Sequence, residues 1–292
     1  MRNLVYAHEH LTIDLAGAKN DPDCRLDDHG AALAELRALP RLGVTDIVDQ
    51  TCRGMGRNPN YAQRLADEAG LRLLHATGYY KEPFLPEECY RLDERAMAGI
   101  FLAELRDEIA GTGLRATHIG EIGSGKDAIT PTEEKIFRAA GRAHAETGAP
   151  VCTHTTLGAL GLEQVALFRE FGVNLGKVVL SHIDLSGDTD YMQRLLDTGV
   201  NIAFDTVGKN AYQPDNKRAE WLALLCRKGY VGQILLSVDI TRKSHYAANG
   251  GPGYATLLEQ FAPLAREAGC TEEDLATMLR DNPARVYSIA LP

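Results

Sequence analysis

The chain has 292 residues and no two cysteines at the spacing of a metal or redox site. Its six cysteines, Cys24, Cys52, Cys89, Cys152, Cys226 and Cys270, stand singly. That excludes a thiolate zinc site and a CxxC redox motif, and leaves free buried thiols in a reducing compartment as the reading. No apolar run approaches the roughly 18 residues a membrane span needs, so no membrane partner is expected. No basic block with a following apolar segment opens the chain, and candidate functional residues begin at His8; the expected location is cytoplasmic. Positive charge is in deficit, 31 Lys+Arg against 40 Asp+Glu, for a formal net charge of −9. Such a chain repels phosphate backbones, and nucleic acid is not expected as a partner. No GxGxxG opens the first strand, which removes the main support for a dinucleotide-binding fold. Linkers, low-complexity segments and charge runs are also missing, so residues 1–292 read as a single domain.

What is present is an alternation of short apolar runs and amphipathic segments. Strands are expected at LVYAHEH, DIVDQT, RLLHATG, THIGEIG, PVCTHT, VVLSHID, NIAFDTV and ILLSVDI. These runs are continuous in apolar character rather than alternating, as suits parallel strands covered on both faces. Helices between them end on Gly43, Gly70, Gly148, Gly172 and Gly199, at positions fit for left-handed C-caps, and Thr132 and Thr271 resemble N-caps. About eight such units predict a (β/α)8 TIM barrel, a fold of about 250 residues. An open doubly wound sheet is the alternative, but it would scatter the ligands described next along a line. The tail TEEDLATMLRDNPARVYSIAL reads as a final helix pair packed on the barrel.

Six would-be metal ligands fall at the carboxyl ends of these strands: His8, His10, Glu121, His154, His182 and Asp239. His8 and His10 lie two apart on a strand and share a face; Glu9 points the other way, into the helix layer. Any one of these histidines alone would read as a hydrogen-bonded core residue. The joint pattern points to a metal site instead, because buried carboxylates need partners or metal. His75 and His118 sit early in their strands, His144 belongs to a helix, and His245 reads as a solvent-exposed loop residue. Nitrogen and oxygen donors without thiolate suit Zn²⁺, with Mn²⁺, Co²⁺ or Fe²⁺ as alternatives. His8, His10 and Asp239 would hold one ion, His154 and His182 the other, and Glu121 would bridge them. A hydroxide shared by two such ions is a nucleophile at neutral pH. Asp239 is the candidate catalytic residue, orienting that hydroxide and accepting its proton.

With AHEHL on the first strand, single histidines closing the fifth and sixth, and SVDITR on the eighth, the chain resembles the phosphotriesterase family of the amidohydrolase superfamily. DCRLD, MGRN, TGYY, GEIG, THT, FDTVGKN, DITRKSH and ANGG are similar to its branch of phosphotriesterase homology proteins. The resemblance runs over essentially the whole chain. It implies a (β/α)8 barrel, a two-metal centre, hydrolysis of esters including phosphotriesters and lactones, and often a homodimer. Most of the family bridges its metals with a carboxylated lysine on the fourth strand. Glu121 holds that position here, and Lys126 lies too far along the loop to replace it.

In such a barrel the loops after the strands choose the substrate. The third offers Tyr79 and Tyr80, the seventh Lys209, Asn210 and Tyr212, the eighth Arg242, Lys243 and Tyr246. Lys209, Arg242 and Lys243 gathered at the mouth would bind an anionic group. The alternative is that they pair with acids such as Glu82, Asp205 and Asp215. The expected function is therefore a two-metal hydrolase whose hydroxide attacks the carbonyl of a small anionic ester, a sugar lactone or its phosphate. A phosphoester hydrolase of the same mechanism, and a non-catalytic ligand-binding barrel, are the alternatives.

Overall fold

A computed structural model describes residues 1–291. Eight parallel strands follow one another in sequence order around a barrel: β1 (Leu4–Glu9), β2 (Val44–Asp49), β3 (Arg72–Thr77), β4 (Ala116–Ser124), β5 (Val151–Thr155), β6 (Val178–Ser181), β7 (Asn201–Phe204) and β8 (Ile234–Leu236). The expected (β/α)8 barrel is the observed fold. Helices alternate with the strands, and the five glycines expected as helix caps all have positive φ. The helix over Pro131–Thr147 is capped by Thr130, not Thr132: Pro131 occupies the first helical position, and Thr130 and Glu133 exchange capping-box hydrogen bonds. Among the described residues no helix is long and apolar enough to cross a membrane.

The barrel floor is a layer of small and branched side chains, including Val5, Ala7, Val48, Leu74, Cys152 and Val179. The C-terminal helical segment closes it from below, with Val286, Tyr287 and Ile289 packed on that layer. Buried polar groups above the plug are paired. Gln50 donates to the Tyr287 hydroxyl at 3.1 Å and lies 3.1 Å from His118 Nε2.

Two register shifts decide which way the functional side chains face. On β1, Tyr6 pairs with Ile47 but Glu9 with Asp49, so three steps oppose two. Ala7 faces the floor, and the extra residue turns His8 inward as well. On β4, Ile119 pairs with Val151 but Ile122 with Thr153. Strict alternation would send His118 and Glu121 to opposite faces; the bulge brings both inside. Gly120 makes this possible: its φ is +133, and a Cβ there would stand 2.1 Å from the Cys152 carbonyl oxygen.

The seam between β8 and β1 is joined differently from the other seven. Among the described residues no β-ladder links them. Glu9 spans the gap: Oε1 accepts from Ser237 Oγ at 2.7 Å and Val238 N–H at 2.8 Å, and Oε2 from Ile240 N–H at 3.1 Å. The expectation that Glu9 enters the helix layer gives way to this role, because three donors on the bent segment after β8 compete for its carboxylate.

His118 gives the fold a pH signature. Burial first, then the nearby His75 and His8, push its imidazole down to about 3. The unfolded chain takes up this proton below about 6.5, so the stability of the neutral form is lost as pH falls from there toward 3. Between pH 7 and pH 5, urea unfolding should show the wild type losing about 2 kcal/mol more than His118→Gln.

Candidate metal centre

The six expected ligands converge at the carboxyl end of the barrel. Glu121 is the hub. Its Oε1 lies 3.4 Å from His10 Nε2, and its Oε2 lies 3.6 Å from His8 Nε2, 3.3 Å from His154 Nδ1 and 3.5 Å from His182 Nε2. Asp239 Oδ1 is 3.6 Å from His8 Nε2 and 3.4 Å from His10 Nε2. His8, His10 and Asp239 form one compact donor group; His8, Glu121 and His182 form another. His8 thus belongs to both, a closer merging than the split expected from the strand order.

These separations are too long for good hydrogen bonds, and His8 Nε2, His10 Nε2 and Glu121 Oε2 are buried with no hydrogen-bond partner. Two donors about 2.1 Å from one tetrahedral ion stand roughly 3.4 Å apart. The inner atoms therefore sit where donors sharing a divalent ion would sit, and the residues fit the group.

The outer ring nitrogens are pinned. Asp205 reaches His8 Nδ1 at 3.1 Å and His182 Nδ1 at 2.9 Å. Thr51 Oγ lies 2.8 Å from His10 Nδ1 and donates its own proton to the Thr12 carbonyl, so the imidazole is the donor. Thr156 does the same for His154 Nε2, at 3.2 Å, with its proton on the Ser124 carbonyl. Each contact holds the proton on the outer nitrogen and turns the inner lone pair to the centre. Local backbone completes the aim: His182 and Asp239 both adopt positive φ just past β6 and β8.

The electrostatics carry the mark of crowded carboxylates and imidazoles. Burial alone would depress His182, but Asp205 and Glu121 outweigh it and raise the imidazole to about 10. His10 is likewise raised to about 9 against its burial by Asp239 and Glu121. His154 shares no outer carboxylate, and burial holds it down at about 4. Burial pushes the Asp239 carboxyl up, yet Lys209 and the histidines bring it far below the usual range.

A cavity of about 390 Å³ opens above this centre. Tyr80, Lys209 and Arg242 line it. The Tyr80 hydroxyl stands 3.2 Å from His154 Nδ1. Tyr79 does not reach the cavity; it turns outward and donates to Glu88 at 2.7 Å. Lys209 is ion-paired with Asp239 Oδ2, and Arg242 with Asp21 at 2.6 Å and Asp23 at 3.6 Å. Lys243 lies outside the lining, 2.6 Å from Asp27. The three loop cations are thus paired, though with different acids from those expected. Asp205 serves the histidines, Asp215 binds the buried Arg218 at 2.8 Å, and Glu82 accepts from Thr130 at 3.3 Å. Arg218 also holds Thr206 and Asp184, which fixes the loop carrying Lys209. His245, expected in solvent, lines the cavity and accepts from Thr241 N–H at 3.3 Å.

The sequence pattern of the phosphotriesterase family matches residues 3–287. The chain belongs to the phosphotriesterase family. The phosphotriesterase homology protein of Escherichia coli is 42% identical over 281 residues, 96% of each chain. Its crystal structure, described as complexed with phosphate in the active site, matches with a TM-score of 0.95 over 98% of both chains. A lactonase from Listeria monocytogenes matches at 27% identity and a TM-score of 0.93, over 99% of this chain and 95% of that one. An organophosphorus hydrolase from Deinococcus radiodurans matches at 32% identity and 0.87, over 97% and 92%. With family membership comes the reaction class: the protein is a hydrolase acting on ester bonds.

Asp205, expected from the sequence only as a partner for loop cations, instead holds His8 and His182. Asp205→Asn should weaken divalent-ion affinity about 10–100-fold in a chelator-competition titration. Because Glu121 is already a carboxylate, bicarbonate should leave reconstitution of the wild type unchanged.

Proposed function

We propose that the protein is a binuclear metal-dependent lactonase, acting on a small lactone that carries an anionic substituent. The observation that carries this reading is the convergence of the six side chains, of which His8 Nε2, His10 Nε2 and Glu121 Oε2 are buried with no hydrogen-bond partner within the protein. His8, His10 and Asp239 would hold one ion, His154 and His182 the second, with Glu121 shared and Zn²⁺ the metal the donor set suits best. When bound, the pair of ions supplies a water of lowered pKa and a Lewis acid for the ester carbonyl.

The chain's own residues do the rest. Asp239 turns Oδ1 to the centre and leaves Oδ2 to Lys209. In that position it takes the proton of the attacking water, and it returns a proton to the alkoxide as the ring C–O bond breaks. Lys209 keeps the carboxylate ionised and oriented. The Tyr80 hydroxyl is a donor on the cavity wall beside His154, within reach of a substrate oxygen. Ile13, Leu15 and Leu185 provide apolar wall that limits water around the reacting bond.

A second reading moves the same chemistry to phosphorus. The Deinococcus organophosphorus hydrolase and the phosphate in the active site of the Escherichia coli protein favour it. The Listeria lactonase, which matches over 99% of this chain with a TM-score of 0.93, weighs toward the lactone.

Asp239→Asn should retain metal in elemental analysis and lower kcat/KM at least 100-fold; unchanged turnover would remove Asp239 from the mechanism. On metal-loaded wild type, lactones should exceed organophosphate triesters in kcat/KM by at least tenfold. The reverse order would favour phosphorus.

A further inference from the structure

The loop after β8 folds back on itself. Gly253 N–H donates to the His245 carbonyl at 2.8 Å and Gly251 N–H to the Tyr246 carbonyl at 3.0 Å, so residues 245–253 make one tight return. Arg242 and His245 bring this loop onto the cavity wall. Its outer side meets carboxylates from the segment after β1. Asp21 pairs with Arg242 and Asp27 with Lys243, each at 2.6 Å, and Asp23 takes the Ser244 N–H at 2.8 Å and its hydroxyl at 2.6 Å. The two ion pairs are well exposed, and pairs of that kind add little.

Glu35 is held differently. It stands half-buried on the helix over His29–Leu36, and its carboxylate binds main chain rather than side chains. Oε1 accepts from Ala247 N–H, and Oε2 from Tyr254 N–H at 3.0 Å. One carboxylate therefore joins the start of the return to its end. The fit is close: Gly253 has φ +67, and a Cβ there would stand 2.8 Å from Glu35 Oε2. Charge-assisted bonds to backbone amides fix the path of the chain itself. Burial raises the Glu35 carboxyl above its usual range, and the amides of Tyr254, Ala247 and Ala248 act against that.

Tyr254 carries the constraint inward. It is fully buried. Its N–H goes to Glu35, its carbonyl accepts from the Tyr6 hydroxyl at 2.9 Å, and its own hydroxyl donates to the His10 carbonyl at 2.9 Å. β1 ends at Glu9, so the buried His10 carbonyl lies beyond the strand, where a missing donor would be costly. Thr51 orients the His10 ring; Tyr254 holds the main chain that carries it.

We propose that Glu35 is a positioning residue of the hydrolytic site, setting the β8 loop through two backbone amides and the His10 main chain through Tyr254. The second link rests on the reading of His10 as a metal ligand; the first does not.

In Glu35→Gln one acceptor oxygen becomes an NH2 donor facing a backbone N–H. Hydrogen exchange in peptides covering 244–256 should quicken at least about tenfold, with the β4 peptides over 116–124 unchanged as a check on the fold. Tyr254→Phe removes only the hydroxyl and should leave exchange at 244–256 within about twofold of wild type. Both variants should shift the visible absorption of Co²⁺-loaded protein and weaken Zn²⁺ at least about threefold in chelator competition. Asp27→Asn, which removes an exposed ion pair from the same loop, should change none of these. Exchange at 244–256 indifferent to Glu35→Gln would overturn the clamp. Faster exchange with spectrum and affinity unchanged in both variants would overturn the positioning role and leave the metal centre standing. A wild type that binds neither ion would bring down the metal reading and the His10 link together, and exchange would still decide the clamp.

Discussion

Four imidazoles and two carboxylates converge on one point, and the inner atoms of His8, His10 and Glu121 are buried with no hydrogen-bond donor or acceptor in the protein. Withdrawing such groups from water costs several kcal/mol for each ion unless something of opposite character replaces the solvent. Much of the upper barrel answers that constraint. Asp205, Thr51 and Thr156 hold the outer nitrogens so that every lone pair faces inward. The Arg218 network steadies the loop that brings Lys209 to Asp239. A pair of divalent ions, as proposed, would complete the set and offset that cost.

The barrel reaches this geometry by departing from regular strand structure at chosen places. A perfect β1 would carry Ala7 and Glu9 inward and turn His8 and His10 out. A perfect β4 would bury His118 at the expense of Glu121. One extra residue in each strand reverses the parity partway along. The floor is then built from Val5, Ala7 and their neighbours, while the rim carries ligands. Glu9, left on the outer side, is used to tie the last strand to the first and to brace the residues flanking Asp239. Closure of the barrel and placement of the candidate catalytic carboxylate are thus one interaction.

Charge on the cavity wall is divided between two kinds of cation. Those on the β7 and β8 loops are matched by Asp239, Asp21 and Asp23 and serve the site by orienting what they touch. Lys19 and Lys81, beside Phe84, have no carboxylate in direct ion-pair contact, although Glu133, Glu121 and Glu82 act on Lys81 from farther off. In a protein of net charge −9, local potential rather than net charge governs what enters a cleft.

The strand count, the barrel and the six donor residues were legible in the chain, because buried parallel strands are continuous apolar runs and because polar residues closing such runs stand out. The glycine caps were legible for a similar local reason: only the left-handed region ends those helices. What the chain could not reveal depended on neighbours distant in sequence. The bulges on β1 and β4 are matters of register against β2 and β5. The roles of Glu9 and Asp205 depend on which donors surround a carboxylate, and composition is silent on that. Arg242 and Lys243 looked like free cations until Asp21, Asp23 and Asp27 folded back against them. Local sequence determined which residues could serve. Tertiary packing decided which of them meet, which are already satisfied, and which are left with charge to offer, because hydrogen bonding and ion pairing are settled by distance in space.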